Sequence, residues 1–238
     1  MDARKYLSIP IFIVVASFLV ILMYMSFTIY SDSKVYSEYI TLFESVVLVL
    51  IGLAISSKKL ASSAKPKIIA LSVTFGVLLY VAQFLIAYLP AFVWYTPPLS
   101  YFATALFVYL PQGLIISALL SLTDSASGSL FILAVPFYVI SMISYFNPIW
   151  TPFYFAEASA AELILALGSG GYLTAFLSSL SFNVADATLA SQFLLFNFGV
   201  FQPPNVQLTS VLVDIAFAAA GAALGLPIGK KAKAAWRP

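Results

Sequence analysis

Apolar residues are grouped along this chain in long runs, which are separated by short polar or proline-containing segments. Most runs approach or exceed the roughly 20 residues that an α-helix needs to cross a hydrocarbon core of about 30 Å. No segment shows the alternating pattern of a membrane-spanning β-strand. The pattern therefore predicts an all-α, polytopic bundle of transmembrane helices, which forms a single domain over residues 1–238.

We predict about eight crossings in this bundle. They lie at residues 8–30, 36–56, 68–92, 101–122, 130–146, 155–182, 189–201 and 206–228. The seventh run is short and is bounded by Asn183 and Asp186 on one side and by Pro203 on the other, so we expect a short or re-entrant crossing there. A chain of seven spans is the alternative.

The Lys and Arg residues predict how the bundle is oriented. They cluster before the first run, in the loop after the second, and behind the last: Arg4, Lys5, Lys58, Lys59, Lys65, Lys67, Lys230, Lys231, Lys233 and Arg237. Cytoplasmic loops carry an excess of basic residues. We therefore expect both termini to be cytoplasmic, an even number of crossings, and a multi-pass protein of the plasma membrane.

Composition and charge narrow the possible functions. The chain is 62% hydrophobic and 8% charged, whereas a soluble domain has about 25% charged residues. It contains no Cys and no His, which excludes haem ligation by either residue, Cys-held iron–sulfur clusters and Ser-His catalysis. The net charge of +2 gives no indication of nucleic-acid binding. We predict no cofactor and no metal site.

Enzyme activity is not predicted either. An intramembrane aspartyl protease would need two facing Asp residues, and the pattern places Asp186 in a turn, where it would cap a helix. Only Asp214 then remains for such a role. No cluster of acidic and basic residues suited to phosphate chemistry is visible.

Three acidic residues interrupt the apolar runs. Glu44, Glu162 and Asp214 each lie well inside a run, and no Lys or Arg lies inside any run to pair with them. Carboxylates in hydrocarbon are costly, so they usually face a bundle interior and mark routes for ions, protons or substrates. With eight crossings the three acids reach a similar depth, and this predicts a common site near the midplane. The alternative is that each acid is neutral and hydrogen-bonded as packing glue.

Amides and helix breaks accompany the acids. Gln83, Gln112 and Asn197 are polar partners within the apolar runs, and they would either bind a solute or cation or only link helices. Pro111 in the fourth run, and Gly168 and Gly170 in the sixth, are predicted to break their helices. Discontinuous helices of this kind build solute sites in many transporters, whereas kinks and close packing are the alternatives.

The last run has a face of small residues. Its members are Ala218, Gly221, Ala222 and Gly225. Small residues at this spacing let two helix backbones approach closely. The partner of this face is either an internal helix or another membrane subunit.

Two functional hypotheses follow. The first is an integral membrane transport-type protein that binds or moves a small solute or cation at a midplane acidic site. The second is a non-catalytic auxiliary subunit of a larger respiratory or other energy-converting membrane complex, with no cofactors of its own.

Overall fold

The computed structural model describes residues 6–63, 65–84, 99–145 and 151–235, and over these ranges the chain folds into eight helices without a β-strand. The helices are α1 (Ser8–Tyr30), α2 (Lys34–Ser63), α3 (Pro66–Phe84), α4 (Leu99–Leu122), α5 (Ser129–Tyr145), α6 (Thr151–Leu167), α7 (Gly171–Phe198) and α8 (Pro204–Ala235). Five of the described helices, α1 to α4 and α8, contain a stretch long and apolar enough to cross a membrane. The predicted all-α architecture of a polytopic membrane protein is confirmed at this level.

Contacts between helix ends show that the helices run in alternating directions. At one end, the Ser8 and Thr174 hydroxyls are hydrogen-bonded to each other at 2.9 Å, Lys59 donates to the Ala166 carbonyl, and Lys233 is paired with Asp124. We call this the basic end, since it holds the lysines at the ends of α2 and α8.

The opposite end of the bundle is aromatic. The rings of Tyr30 and Phe201 stack with centroids 5.9 Å apart, and the Tyr101 hydroxyl donates to Gln202 Oε1 at 3.0 Å. These contacts join the end of α1, the start of α4 and the connection between α7 and α8. We call this region the aromatic end.

Helix α7 lies in the interior of the bundle, packed against α1, α4, α6 and α8. Its polar side chains are accordingly buried: Ser178, Ser179, Ser181, Asn183, Thr188 and Gln192. Outward-facing side chains of α1, α2 and α3, such as Val14, Leu50 and Leu78, are apolar and exposed. The outer helices thus separate the polar face of α7 from the surroundings of the bundle, as membrane proteins arrange their polar residues.

The structure corrects the predicted bounds in this region. Gly168 and Gly170 do not interrupt a helix but lie in the turn between α6 and α7, where Gly170 has φ +78°. Asn183 and Asp186 lie within α7 rather than in a loop. The runs predicted at 155–182 and 189–201 are therefore replaced by α6 and α7. Hydropathy missed this division because the polar residues of α7 are sheltered by other helices.

Glycines bring α4 and α8 into close contact. A Cβ at Gly113 would collide with the Ala218 carbonyl oxygen, and one at Gly221 with the Leu110 carbonyl oxygen. Ala218 and Ala222 are fully buried in the same contact. The small-residue face of α8 is thus covered by α4 of the same chain, and a further subunit would need a different surface.

Helix α4 changes its hydrogen-bonding pattern before Pro111. Residues Ala105–Tyr109 form a π-helical segment, in which the Leu110 N–H donates to the Ala105 carbonyl. Pro111 has no N–H and cannot bond the carbonyl four residues earlier. The predicted break at Pro111 therefore appears as a π segment within a continuous helix, and π segments often accompany functional sites.

Candidate functional site

Glu162 serves as the N-terminal cap of α5. Its carboxylate accepts hydrogen bonds from the Gly128 N–H at 2.7 Å, the Leu130 N–H at 2.9 Å and the Ser127 hydroxyl at 3.1 Å. The first N–H groups of a helix lack partners within it, and a negative charge at this position is favourable. Glu162 thus has a complete set of protein partners and contributes to the fold.

Glu44 is engaged elsewhere, between α2 and α7. The Gln192 amide donates to Glu44 Oε2 at 3.1 Å, and both side chains are fully buried. Apolar residues such as Leu48, Leu189 and Phe193 surround this part of α7. Glu44 and Gln192 form one buried hydrogen-bonded pair, and the second oxygen of Glu44 and the amide oxygen of Gln192 have no partner among the described residues.

Asp214 lines a cavity of about 370 Å³ that is formed by α3, α4, α6, α7 and α8 near the aromatic end. On α8 the residues Gln207, Ser210 and Asp214 face this cavity, as their spacing of three and four residues requires on one side of a helix. Asp186 and Ser191 of α7 lie opposite. Among the described residues that line the cavity, none is Lys or Arg.

The acids at this cavity are neighbours of one another. The Asp186 carboxyl interacts electrostatically with that of Asp214 and with that of Glu157 on α6. Neighbouring carboxylates repel each other, so the cluster is a place where a positive charge is favourable. Glu157, Asp186 and Asp214, from three consecutive helices, form what we call the acid cluster.

The polar atoms of the acid cluster are incompletely paired. Asp214 Oδ1 and Glu157 Oε1 are buried without a hydrogen-bond partner among the described residues, and the Gln112 side chain lies beside Asp186. Buried polar groups are normally hydrogen-bonded, so an unpaired carboxyl oxygen of a residue that lines a cavity, as Asp214 does, is available to a group that binds there.

Aromatic and amide side chains complete the wall of the cavity. Tyr101 and Tyr109 contribute from α4, and Tyr154 from α6. Tyr109 belongs to the π segment, is almost fully buried, and lines the cavity together with Asp186 and Asp214. The Gln207 amide donates to Ser191 Oγ at 2.6 Å, which links α8 to α7 at the wall.

The structure brings together some of the predicted site residues and separates others. Asp214 and Gln83 line the cavity, and Gln112 lies next to it. Glu44 and Glu162 each engage other partners, so the three acids do not form the single site that equal depth predicted. Asn197 belongs to α7, but its side chain lies outside the described residues.

Sequence reasoning missed Glu157, Asp186 and Tyr109. The apolar pattern predicts a turn at Asp186 because this residue lies between the sixth and seventh runs. Glu157 stands near the start of its run, where an acid suggests an interface. The Gly168–Gly171 segment is a turn signal that could have corrected this. With a turn at that point, Asp186 falls near the middle of a helix.

The described residues hold no group of three or more acidic side chains arranged to bind a metal ion. Comparison of the chain with protein-family models, curated proteins and solved structures finds no match.

Proposed function

We propose that this chain is a transport-type protein of the plasma membrane that binds a small cation or cationic solute in the cavity beside the acid cluster. The decisive observation is that acidic side chains face the cavity without a Lys or Arg among the described lining residues. A positive charge bound there would be attracted strongly, because the interior of a helical bundle screens charge far less than water does.

The position of the cavity supports access of a ligand from one side of the membrane. The cavity lies toward the aromatic end, between the first turns of α4 and the connection from α7 to α8. Counting about 1.5 Å per residue, Asp214 is roughly 15 Å along α8 from that end. By the distribution of lysines, we propose that the basic end and both termini face the cytoplasm, so the cavity would be reached from outside.

The acidic surroundings of Asp186 on α7 also favour a transport role over a purely structural one. A carboxyl that lies beside a second carboxyl and near a third is an unfavourable arrangement for stability alone. Buried ionisable residues within membrane bundles usually mark pathways for ions or substrates. Glu162, by contrast, shows what a stabilising buried carboxylate looks like in the same bundle.

Uptake into liposomes tests this proposal. The purified full chain, reconstituted and supplied with labelled Na⁺, K⁺, methylammonium or choline, should take up at least one of them. Asp214→Asn should lower that uptake at least about tenfold, the equivalent of about 1.4 kcal/mol. Glu44→Gln is the matched control, since Glu44 is also a buried acid but lies outside the cavity, and it should transport normally. Absence of uptake of all four ions, or equal uptake by Asp214→Asn, would contradict the proposal.

The auxiliary-subunit hypothesis makes a different prediction. Purified from its source in mild detergent, a subunit would retain other proteins in fixed stoichiometry, whereas a transporter would run alone or as a small homo-oligomer. The small-residue face of α8 is already covered by α4, which removes the surface that first suggested a partner chain.

A further inference from the structure

The size of the cavity bears on the kind of cation it takes. A volume of about 370 Å³ corresponds to roughly a dozen water molecules at about 30 Å³ each, which is near the lower limit of pockets that bind organic ligands. A single dehydrated metal ion would fill little of it. The cavity is large enough for an organic ion of several non-hydrogen atoms.

The ligand set also differs from that of a metal site. No three acidic side chains of the described residues converge as metal ligands. Instead, Asp186 and Asp214 supply negative charge from two helices, while Gln83, Gln207 and Ser210 offer neutral oxygens. Alkali and divalent ions need several oxygens close to one point to replace their water. Dispersed acceptors suit a diffuse charge better.

Three tyrosines give the cavity aromatic walls. Tyr101, Tyr109 and Tyr154 all line it. Two of these rings are anchored, since Tyr101 donates to Gln202 and Tyr154 packs edge-on against Phe137 with centroids 4.6 Å apart. Aromatic faces attract ammonium groups, and rings combined with carboxylates are how proteins recognise organic ammonium ions.

From these observations we propose that the ligand of the cavity is a small organic ammonium ion. This inference deepens the proposed function and rests on it. Asp214 and Asp186 balance its charge, and the three tyrosine rings surround its alkyl groups. Organic ammonium ions are more weakly hydrated than metal ions, so the oxygen shell they need in the cavity is smaller.

Calorimetric titration of the detergent-purified full chain distinguishes binding of an organic ammonium ion from binding of a metal cation or of a neutral molecule of the same shape. The probes are choline, ethanolamine, Na⁺, K⁺ and 3,3-dimethyl-1-butanol, in which carbon replaces the choline nitrogen and removes only the charge. Choline or ethanolamine should bind, and at least about tenfold more tightly than the neutral alcohol. Equal binding of the neutral alcohol would overturn the inference, since the cavity would then recognise shape and not charge.

The outcomes also distinguish failure of this inference from failure of the proposed function. If Na⁺ or K⁺ is taken up by liposomes and binds more tightly than both amines, the organic ligand class is wrong and cation transport stands. If none of the ions binds and none is taken up, both proposals are overturned.

A pair of substitutions at one tyrosine tests the aromatic walls. Tyr101→Phe keeps the ring and should retain choline affinity within about threefold, whereas Tyr101→Leu should lower it roughly fivefold or more, as expected for loss of a cation–π contact. Thermal unfolding of both variants checks that each is folded. Equal affinity of folded Tyr101→Leu and Tyr101→Phe would remove the tyrosines from the recognition of the ligand.

Discussion

Helix α6 carries two buried glutamates, five residues apart, with opposite surroundings. Glu162 is 0% exposed and accepts three hydrogen bonds from the start of α5. Glu157 is 2% exposed, and its neighbour is another acid, Asp186. One oxygen of Glu157 has no partner among the described residues. Burial alone therefore does not tell a structural carboxylate from a functional one, and the partner set does.

Energetics explain this distinction. A buried carboxylate that receives several N–H and O–H donors regains much of the solvation it lost, and removing it would leave those donors unsatisfied. A carboxyl beside another carboxyl gains less and is tolerated only if a proton or a bound cation balances the charge. Glu44, with a single bond from Gln192, lies between these cases.

Replacing Glu162 tests the structural half of the comparison and should give the largest effect. In Glu162→Ala, two buried N–H groups and a hydroxyl at the start of α5 lose their acceptor, at about 1–3 kcal/mol each. We expect the free energy of unfolding, measured by thermal unfolding in mild detergent, to fall by at least about 3 kcal/mol. The control is Glu38→Ala, because Glu38 is an exposed acid near the start of α2. Equal stability of the two variants would show that Glu162 does not stabilise the fold.

The comparison also depends on contact between α4 and α8, which carry Gln112 and Asp214 to the acid cluster. Gly221→Val would place a side chain against the Leu110 carbonyl, and we expect destabilisation of about 1–3 kcal/mol from overpacking. Ala220→Val, on the exposed side of the same helix, should change stability little. If both variants unfold alike, the close crossing does not support the cavity.

Glu44→Gln should have a smaller effect. A glutamine retains an oxygen that can accept from Gln192, so we expect a change within about 1 kcal/mol. Choline affinity should be unchanged, because Glu44 is not among the lining residues. Lost affinity in folded Glu44→Gln protein would restore Glu44 to the binding site.

The smallest effect on stability is expected at Glu157. In Glu157→Gln the new amide can donate a hydrogen bond to the Asp186 carboxylate. The free energy of unfolding should therefore fall by no more than about 0.5 kcal/mol, or rise. Because it compares two glutamates of one helix, this measurement is the sharpest check of the distinction. A loss of stability as large as that of Glu162→Ala would contradict the distinction between the two glutamates.

Several features of this protein follow from its amino-acid sequence alone. Long apolar runs require helices when no water is present to satisfy the backbone, so the all-α architecture could be predicted. The same holds for the lysines at the ends of α2 and α8, which gather at one end of the bundle. Asp214, Gln83 and Gln112 could be singled out because polar side chains within apolar runs must find partners inside the bundle.

Tertiary structure alone decided which polar groups meet. Equal depth along separate runs predicted one site for Glu44, Glu162 and Asp214. Glu162, however, is bonded to the turn before α5 at the basic end, whereas Glu44 is bonded to Gln192 near the end of α7, so the acids differ in depth as well as in neighbours. The polar character of α7 is compensated by the helices packed around it, which a count of apolar residues along the chain does not register. Position along a helix is local information, whereas the partners of a buried charge depend on how all the helices pack.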